Sequence, residues 1–260
     1  MKRDAGALAA RIGTAAVLIA ILLAGLFFLP RIGVAALMAL IVAIAGFEWA
    51  RLCGLGAMES RLYAAAVVIG FLVVVSVQVW RPAFIAAAAF WVLAVPAWLW
   101  LGVNARQRSG LIPLGFLVLV PPALAMVVLE PLDALLALAV AWIADTAAYF
   151  VGRRWGRRKL APSISPGKTV EGLYGGVAAA TLFGGGWALL TGLDVTLLVL
   201  APLFALAAQG GDLFESQMKR RAGLKDSGRW LPGHGGLLDR LDGLVPVAVL
   251  TAAAQVAGLV

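Results

Sequence analysis

Apolar residues fill this chain in long runs, broken by short polar or glycine-containing stretches. Nine runs are long enough to cross a bilayer, which takes about 20 apolar residues. They lie near 12–29, 32–49, 62–80, 83–101, 111–129, 133–151, 172–191, 194–214 and 244–260. Backbone groups in hydrocarbon must be satisfied within their own segment, so each run predicts a helix. Only Pro30 and Arg31 separate the first two, which predicts a tight helical hairpin. Pro96, Pro121 and Pro122 fall inside runs and predict kinks. The first run has no clear small-residue cleavage site after it and reads as an uncleaved helix. No internal repeat is apparent, so an inverted-repeat transporter has little support.

Composition agrees. Hydrophobic residues make up 63% of the chain, charged residues 13%, and mean hydropathy is +0.98. A soluble domain carries about 25% charged residues. The net charge of +8 would suit nucleic acid in a soluble protein, but here it reads as topology. With the N-terminus in the cytoplasm and the runs alternating, all of the 21 Lys and Arg except Arg31 and Arg81 fall on the cytoplasmic side. The expectation is an all-α polytopic membrane protein with about nine transmembrane helices, N-terminus cytoplasmic and C-terminus outside, with no nucleic-acid partner. The single Cys53 excludes an intramolecular disulfide and a cysteine metal cluster.

Polar chemistry divides the chain. Residues 1–130 read as anchor helices, and residues 131–260 as a catalytic region with cytoplasmic loops at 152–171 and 215–243. Asp145 sits inside the sixth run, on one helical face with Tyr149 and Gly152. An ionisable residue within a span is a functional candidate, with a structural interhelical hydrogen bond as the alternative. The following loop holds Ser165, Lys168, Thr169 and Glu171. Its Gly-Lys-Thr invites a P-loop reading, but Pro162 stands where the first glycine of that motif belongs. What remains is phosphate binding at a helix start, or simple capping by Thr or Ser.

The densest polar block runs from Ser216 to Asp242. Just before it, Asp212, Glu215 and Ser216 share a helix face, and Gly210 and Gly211 permit close approach. Lys219, Arg220, Lys225 and Asp226 follow, then Pro-Gly-His-Gly-Gly containing His234, Gly235 and Gly236, then Asp239, Arg240 and Asp242. Paired acids are hard oxygen ligands suited to Mg²⁺, and the Lys and Arg suit phosphate charge. A lone histidine makes no zinc site, and His234 reads at most as a phosphate hydrogen-bond donor.

The pattern Ser216-x-x-Lys219-Arg220, Lys225-Asp226, Pro232-x-His234-Gly235-Gly236-x-x-Asp239-Arg240-x-Asp242 resembles the signature of the phosphatidate cytidylyltransferases (CDP-diacylglycerol synthases). The Asp145 segment, Ser165-Pro166-x-Lys168-Thr169-x-Glu171-Gly172 and Gly211-Asp212-x-x-Glu215-Ser216 extend the resemblance over roughly residues 140–243. It implies an integral membrane enzyme, usually a homodimer, that converts CTP and phosphatidate to CDP-diacylglycerol and pyrophosphate. It further implies Mg²⁺, with K⁺ as a possible companion ion. Asp212 and Asp239 are then the first metal candidates, followed by Asp226 and Asp242. Lys219, Lys225, Arg220 and Arg240 would neutralise the triphosphate. Ser165, Lys168 and Thr169 would hold a lipid or nucleotide phosphate. Glu171, Ser216, His234, Gly235, Gly236 and Asp145 complete the expected substrate site. A bacterial inner membrane is the expected location.

Two other classes compete. A transporter would spread its acids at mid-depth through several spans, whereas here they crowd one end. A CTP-using lipid kinase shares the demand for Mg²⁺ and CTP and is separated by its products.

Overall fold

The computed structural model describes residues 13, 16–17, 19–101, 108–192, 196–228, 230 and 235–259. Seven helices in it are long and apolar enough to cross a membrane. They are α2 (Arg31–Leu52), α3 (Ala57–Val77), a composite span Arg81–Leu101, α6 (Arg108–Val128), α7 (Pro131–Trp155), α8 (Val170–Thr191) and α9 (Thr196–Arg221). Two shorter apolar helices, α1 (Ile19–Phe28) and α11 (Leu244–Val256), occupy the first and ninth expected spans. Thirteen residues in α11 rise about 20 Å, less than a typical hydrocarbon core of about 30 Å.

The composite span consists of α4 (Arg81–Ala89), a π-helical turn (Phe90–Ala94) and α5 (Val95–Leu101). Pro96 explains the irregular turn, because it has no N–H to donate and its ring crowds the carbonyl four residues back. Pro121 and Pro122, by contrast, lie within the single helix α6.

The all-α expectation needs one addition. Lys159–Ala161 (β1) and Ser165–Thr169 (β2) pair antiparallel, with Lys159 opposite Thr169 and Ala161 opposite Ser165. β1 is only three residues long and β2 contains Pro166 and Gly167, so no alternating apolar pattern announces a hairpin.

Small residues govern the packing beneath this hairpin. Gly172, Gly176, Ala180, Gly184 and Ala188 are the buried residues of α8, spaced every fourth position. A Cβ on Gly176 would lie 2.7 Å from the Ala144 carbonyl oxygen of α7, and one on Gly184 would lie 2.6 Å from Ala201 Cβ of α9. The stripe therefore lets α8 sit close to both neighbours. In the other half, Phe214 of α9 is 1% exposed and packs against Trp49, Phe90, Trp91 and Trp98. Trp49 Nε1 donates to the Leu111 carbonyl (2.9 Å) and Tyr63 Oη to the Ile112 carbonyl (2.7 Å), tying α2 and α3 to α6. Thus α9 is held from both sides, and its C-terminal half lies between the two halves of the molecule.

Candidate active site

The C-terminal ends of α2, α7 and α9 meet the start of α8 at one end of the bundle. Two lysine–aspartate pairs organise this end. Lys168, on β2, reaches α9, with its Nζ 2.6 Å from Asp212 Oδ2 and 2.8 Å from Gln209 Oε1. Gln209 in turn donates to Asp145 Oδ1 on α7 (2.6 Å), and Ser216 Oγ donates to Asp212 Oδ1 (3.1 Å). The expected shared face is only partly kept. Asp145 turns to Gln209, whereas Tyr149 is exposed and bonds Arg153, and Gly152 packs against Thr169 and Gly172.

Lys219 forms the second pair, bridging Glu215 one turn back on α9 and Asp239 (Oδ1 at 2.6 Å) on the short helix α10 (Leu238–Leu241). The other oxygen of Asp239 accepts the backbone N–H groups of Gly236 (2.8 Å) and Ser227 (3.0 Å). Burial pushes the Asp239 carboxyl up, but Lys219 and these two N–H groups outweigh it and hold the group below the usual carboxylate range. Asp242 goes the other way, raised above the usual carboxylate range by burial and then by the Asp212 carboxylate. Gly211 permits this proximity, because a Cβ there would run into the Asp242 carbonyl and Pro246.

Two glycines are dictated by the loop. Gly235 has φ +83°, and a Cβ on it would lie 2.7 Å from Asp239 Oδ2 and 3.2 Å from Asp226 Cβ. Gly236 faces Ser227 and lies where a Cβ would come 2.7 Å from Glu48 Oε1.

Glu48 joins these residues, although no motif in the sequence marks it. It lies in the last turns of α2 and is 1% exposed. Its Oε1 accepts from Leu237 N (2.9 Å), and its Oε2 accepts from Ser227 Oγ (2.9 Å) and Leu238 N (2.9 Å). One carboxylate from the N-terminal half thus joins Ser227 to the Leu237–Leu238 turn that leads into Asp239. The available signal was an acid at the end of an apolar run, where desolvation demands a partner.

The remaining expected residues take definite places. Thr169 caps α8, its Oγ1 accepting from Gly172 N (3.1 Å). Glu171 accepts from the Arg157 and Arg158 N–H groups (3.0 and 3.1 Å) and from Arg158 Nε (3.3 Å), bracing the turn before β1. Arg220 Nε donates to the Ile164 carbonyl (3.4 Å), joining the hairpin to α9. Ser165 lies on β2, Arg240 is exposed on α10, and Lys225 and Asp226 are exposed in the segment after α9. His234 lies outside the described residues.

This end of the bundle therefore holds ammonium and carboxylate groups side by side. A model of the cytidylyltransferase family matches residues 9–256. The chain is similar to the phosphatidate cytidylyltransferase of Pseudomonas aeruginosa, 38% identical over 257 residues that cover 94% of this chain and 95% of that protein. It is also similar to the phosphatidate cytidylyltransferase of Brucella suis, 51% identical over 122 residues covering 43% of this chain and 42% of that protein. The Thermotoga maritima enzyme of the same name is 43% identical over 124 residues, covering 45% of this chain and 46% of that protein.

Proposed function

We propose that this chain, which belongs to the cytidylyltransferase family, transfers CMP from CTP to phosphatidate, giving CDP-diacylglycerol and pyrophosphate. The observation that carries the reading is that α9 holds one partner of each pair, Asp212 of Lys168–Asp212 and Lys219 of Lys219–Asp239, within a chain similar over nearly its whole length to an enzyme of that name.

In the reaction, a phosphate oxygen of phosphatidate attacks the α-phosphorus of CTP. The bond to the β-phosphate bridging oxygen breaks, and pyrophosphate leaves with the electron pair. The lipid phosphate is already ionised near neutral pH, so no general base is required. Both reactants are anionic, and the protein's task is positioning and charge neutralisation. Lys168 and Lys219 supply ammonium groups that can exchange a carboxylate partner for a phosphate oxygen. Lys225, Arg220 and Arg240 add positive charge around the leaving group. Ser165 lies near Lys168 on the hairpin, where a lipid phosphate can reach it, whereas Thr169 is buried and serves by capping α8.

A divalent cation fits the donor set. Carboxylates crowd together here: Asp145 and Asp212 each lie within electrostatic range of the other and of Asp242, and Glu215 lies within range of Asp242 and Asp239, with Lys168 and Lys219 among them. Among the described residues no three such groups form a ready-made metal cage. Mg²⁺ is commonly held by one or two carboxylates plus substrate phosphates. Asp212 and Asp239 are its first candidate ligands, followed by Asp242 and Asp226, with K⁺ as a possible second ion. Bound there, Mg²⁺ would supply Lewis-acid polarisation of the phosphoryl oxygens.

We place this end of the bundle at the cytoplasmic face of a bacterial inner membrane, as the distribution of Lys and Arg supports. Nine crossings, N-terminus in and C-terminus out, follow from the same argument, with α1 and α11 as the first and last. The acyl chains then stay in the bilayer while the head group meets CTP. Asp212→Asn in purified, folded protein tests the assignment. Loss of CTP-dependent CDP-diacylglycerol formation is expected, and near wild-type turnover would remove Asp212 from the machinery.

A further inference from the structure

Beside the segment that carries Asp239 lies a cavity of about 630 Å³ that the lysine–aspartate pairs do not use. Small-molecule sites commonly measure about 300–1,000 Å³. One wall is the end of α2, with Phe47, Glu48 and Arg51; the other is the segment after α9, with Lys225, Asp226 and Trp230. The Phe47 and Trp230 rings meet edge to face, with centroids 6.2 Å apart and planes at 86°. Trp230 is 58% exposed, so much of its surface remains open. Among the described residues neither Arg51 nor Lys225 is in a salt bridge. The guanidinium of Arg51 makes one hydrogen bond, to the Leu55 carbonyl (3.2 Å).

Resting on the cytidylyltransferase reading, we propose that this cavity is the nucleoside subsite, holding the cytosine and ribose of CTP. Its chemistry matches that occupant. An aromatic wall suits a flat base, and cations suit the phosphates attached to it. Arg51 presents donors to the O2 and N3 acceptors of cytosine. Lys225 takes phosphate charge. The cavity also adjoins the chemistry: Ser227, part of its wall, donates its N–H to Asp239 and its hydroxyl to Glu48. A nucleoside held here has its phosphates directed along the segment that fixes Asp239. The lipid phosphate is left to the hairpin side, where Lys168 meets Asp212.

The test is steady-state kinetics and equilibrium CTP binding for the wild type, Arg51→Ala, Arg51→Lys and Trp230→Ala. Arg51 and Trp230 are exposed, so these variants should fold. Losing charge-assisted hydrogen bonds should raise the KM and Kd for CTP about tenfold or more in Arg51→Ala. The KM for phosphatidate should stay within about twofold, since the lipid is bound elsewhere. Trp230→Ala should raise the same CTP constants through lost stacking. Arg51→Lys keeps the charge but not the planar fork, so it should lose part of the preference for CTP over UTP. Unchanged CTP constants in Arg51→Ala and Trp230→Ala, or a shift in the phosphatidate KM instead, would overturn the subsite while leaving the reaction standing. A wild type that neither binds nor consumes CTP would remove reaction and subsite together.

Discussion

Replacing Glu48 by glutamine changes one atom type in a buried site and puts the whole loop at risk. The carboxylate accepts three hydrogen bonds, from Ser227 Oγ, Leu237 N and Leu238 N. Two of these donors are backbone N–H groups, one on each carboxylate oxygen. A glutamine amide must place its NH₂ opposite one of them, whichever way it is turned. Ser227 can adapt by accepting; an N–H cannot. One buried donor is therefore orphaned, at a cost of about 1–3 kcal/mol, and the surviving bonds lose their charge assistance. If that cost falls on the ordered loop, kcat/KM drops about tenfold to a hundredfold, at 1.4 kcal/mol per tenfold. Glu48→Ala orphans all three donors and should lower the Tm as well. The assay pairs turnover with amide hydrogen exchange, in which Leu237 and Leu238 should lose protection in Glu48→Gln while the helices keep theirs. Wild-type kcat/KM and unchanged exchange at these amides would refute the claim that Glu48 sets the catalytic loop.

Three further outcomes follow from the same geometry. Lys219→Met leaves the Glu215 and Asp239 side chains, 7% and 6% exposed, without their shared cation; breaking such a pair costs about 3–5 kcal/mol, so thermal unfolding should shift sharply downward and Glu215→Gln in the same chain should restore part of the loss. Gly235→Ala adds a left-handed backbone penalty of about 1–2 kcal/mol and a collision with Asp239, and should reduce turnover, whereas Gly192→Ala, at φ +68° with no atom within 4 Å of the added Cβ, should leave turnover unchanged. Chelating divalent cations with EDTA should stop CTP consumption and added Mg²⁺ should restore it; persistent turnover in EDTA would remove the metal from the reaction.

How far the sequence could be read depended on whether a residue's partner was local. The apolar runs announced the long helices because desolvation forces 20-residue apolar stretches into helical form. Lys168, Asp212, Lys219 and Asp239 were visible because charge at the ends of apolar segments is costly without a purpose. Gln209, the link between Asp145 and Lys168, was not; an amide carries no charge and passes as an ordinary polar residue in a span. Glu48 was missed for a different reason. Its partners are 179 to 190 positions away, and nothing local tells an acid in a loop-fastening role from one at a membrane interface. The β1–β2 hairpin escaped because a three-residue strand and a five-residue strand holding Pro and Gly have no period to detect. The division into an anchor half and a catalytic half blurred the same point, since α2 supplies both Glu48 and one wall of the cavity beside the loop.

Purified protein in detergent or nanodiscs, given CTP labelled in the cytidine, phosphatidate and Mg²⁺, should form labelled CDP-diacylglycerol and pyrophosphate in equal amounts. Neither product should form without phosphatidate. Release of CDP with a newly phosphorylated lipid, or no CTP consumption by folded protein, would contradict the account.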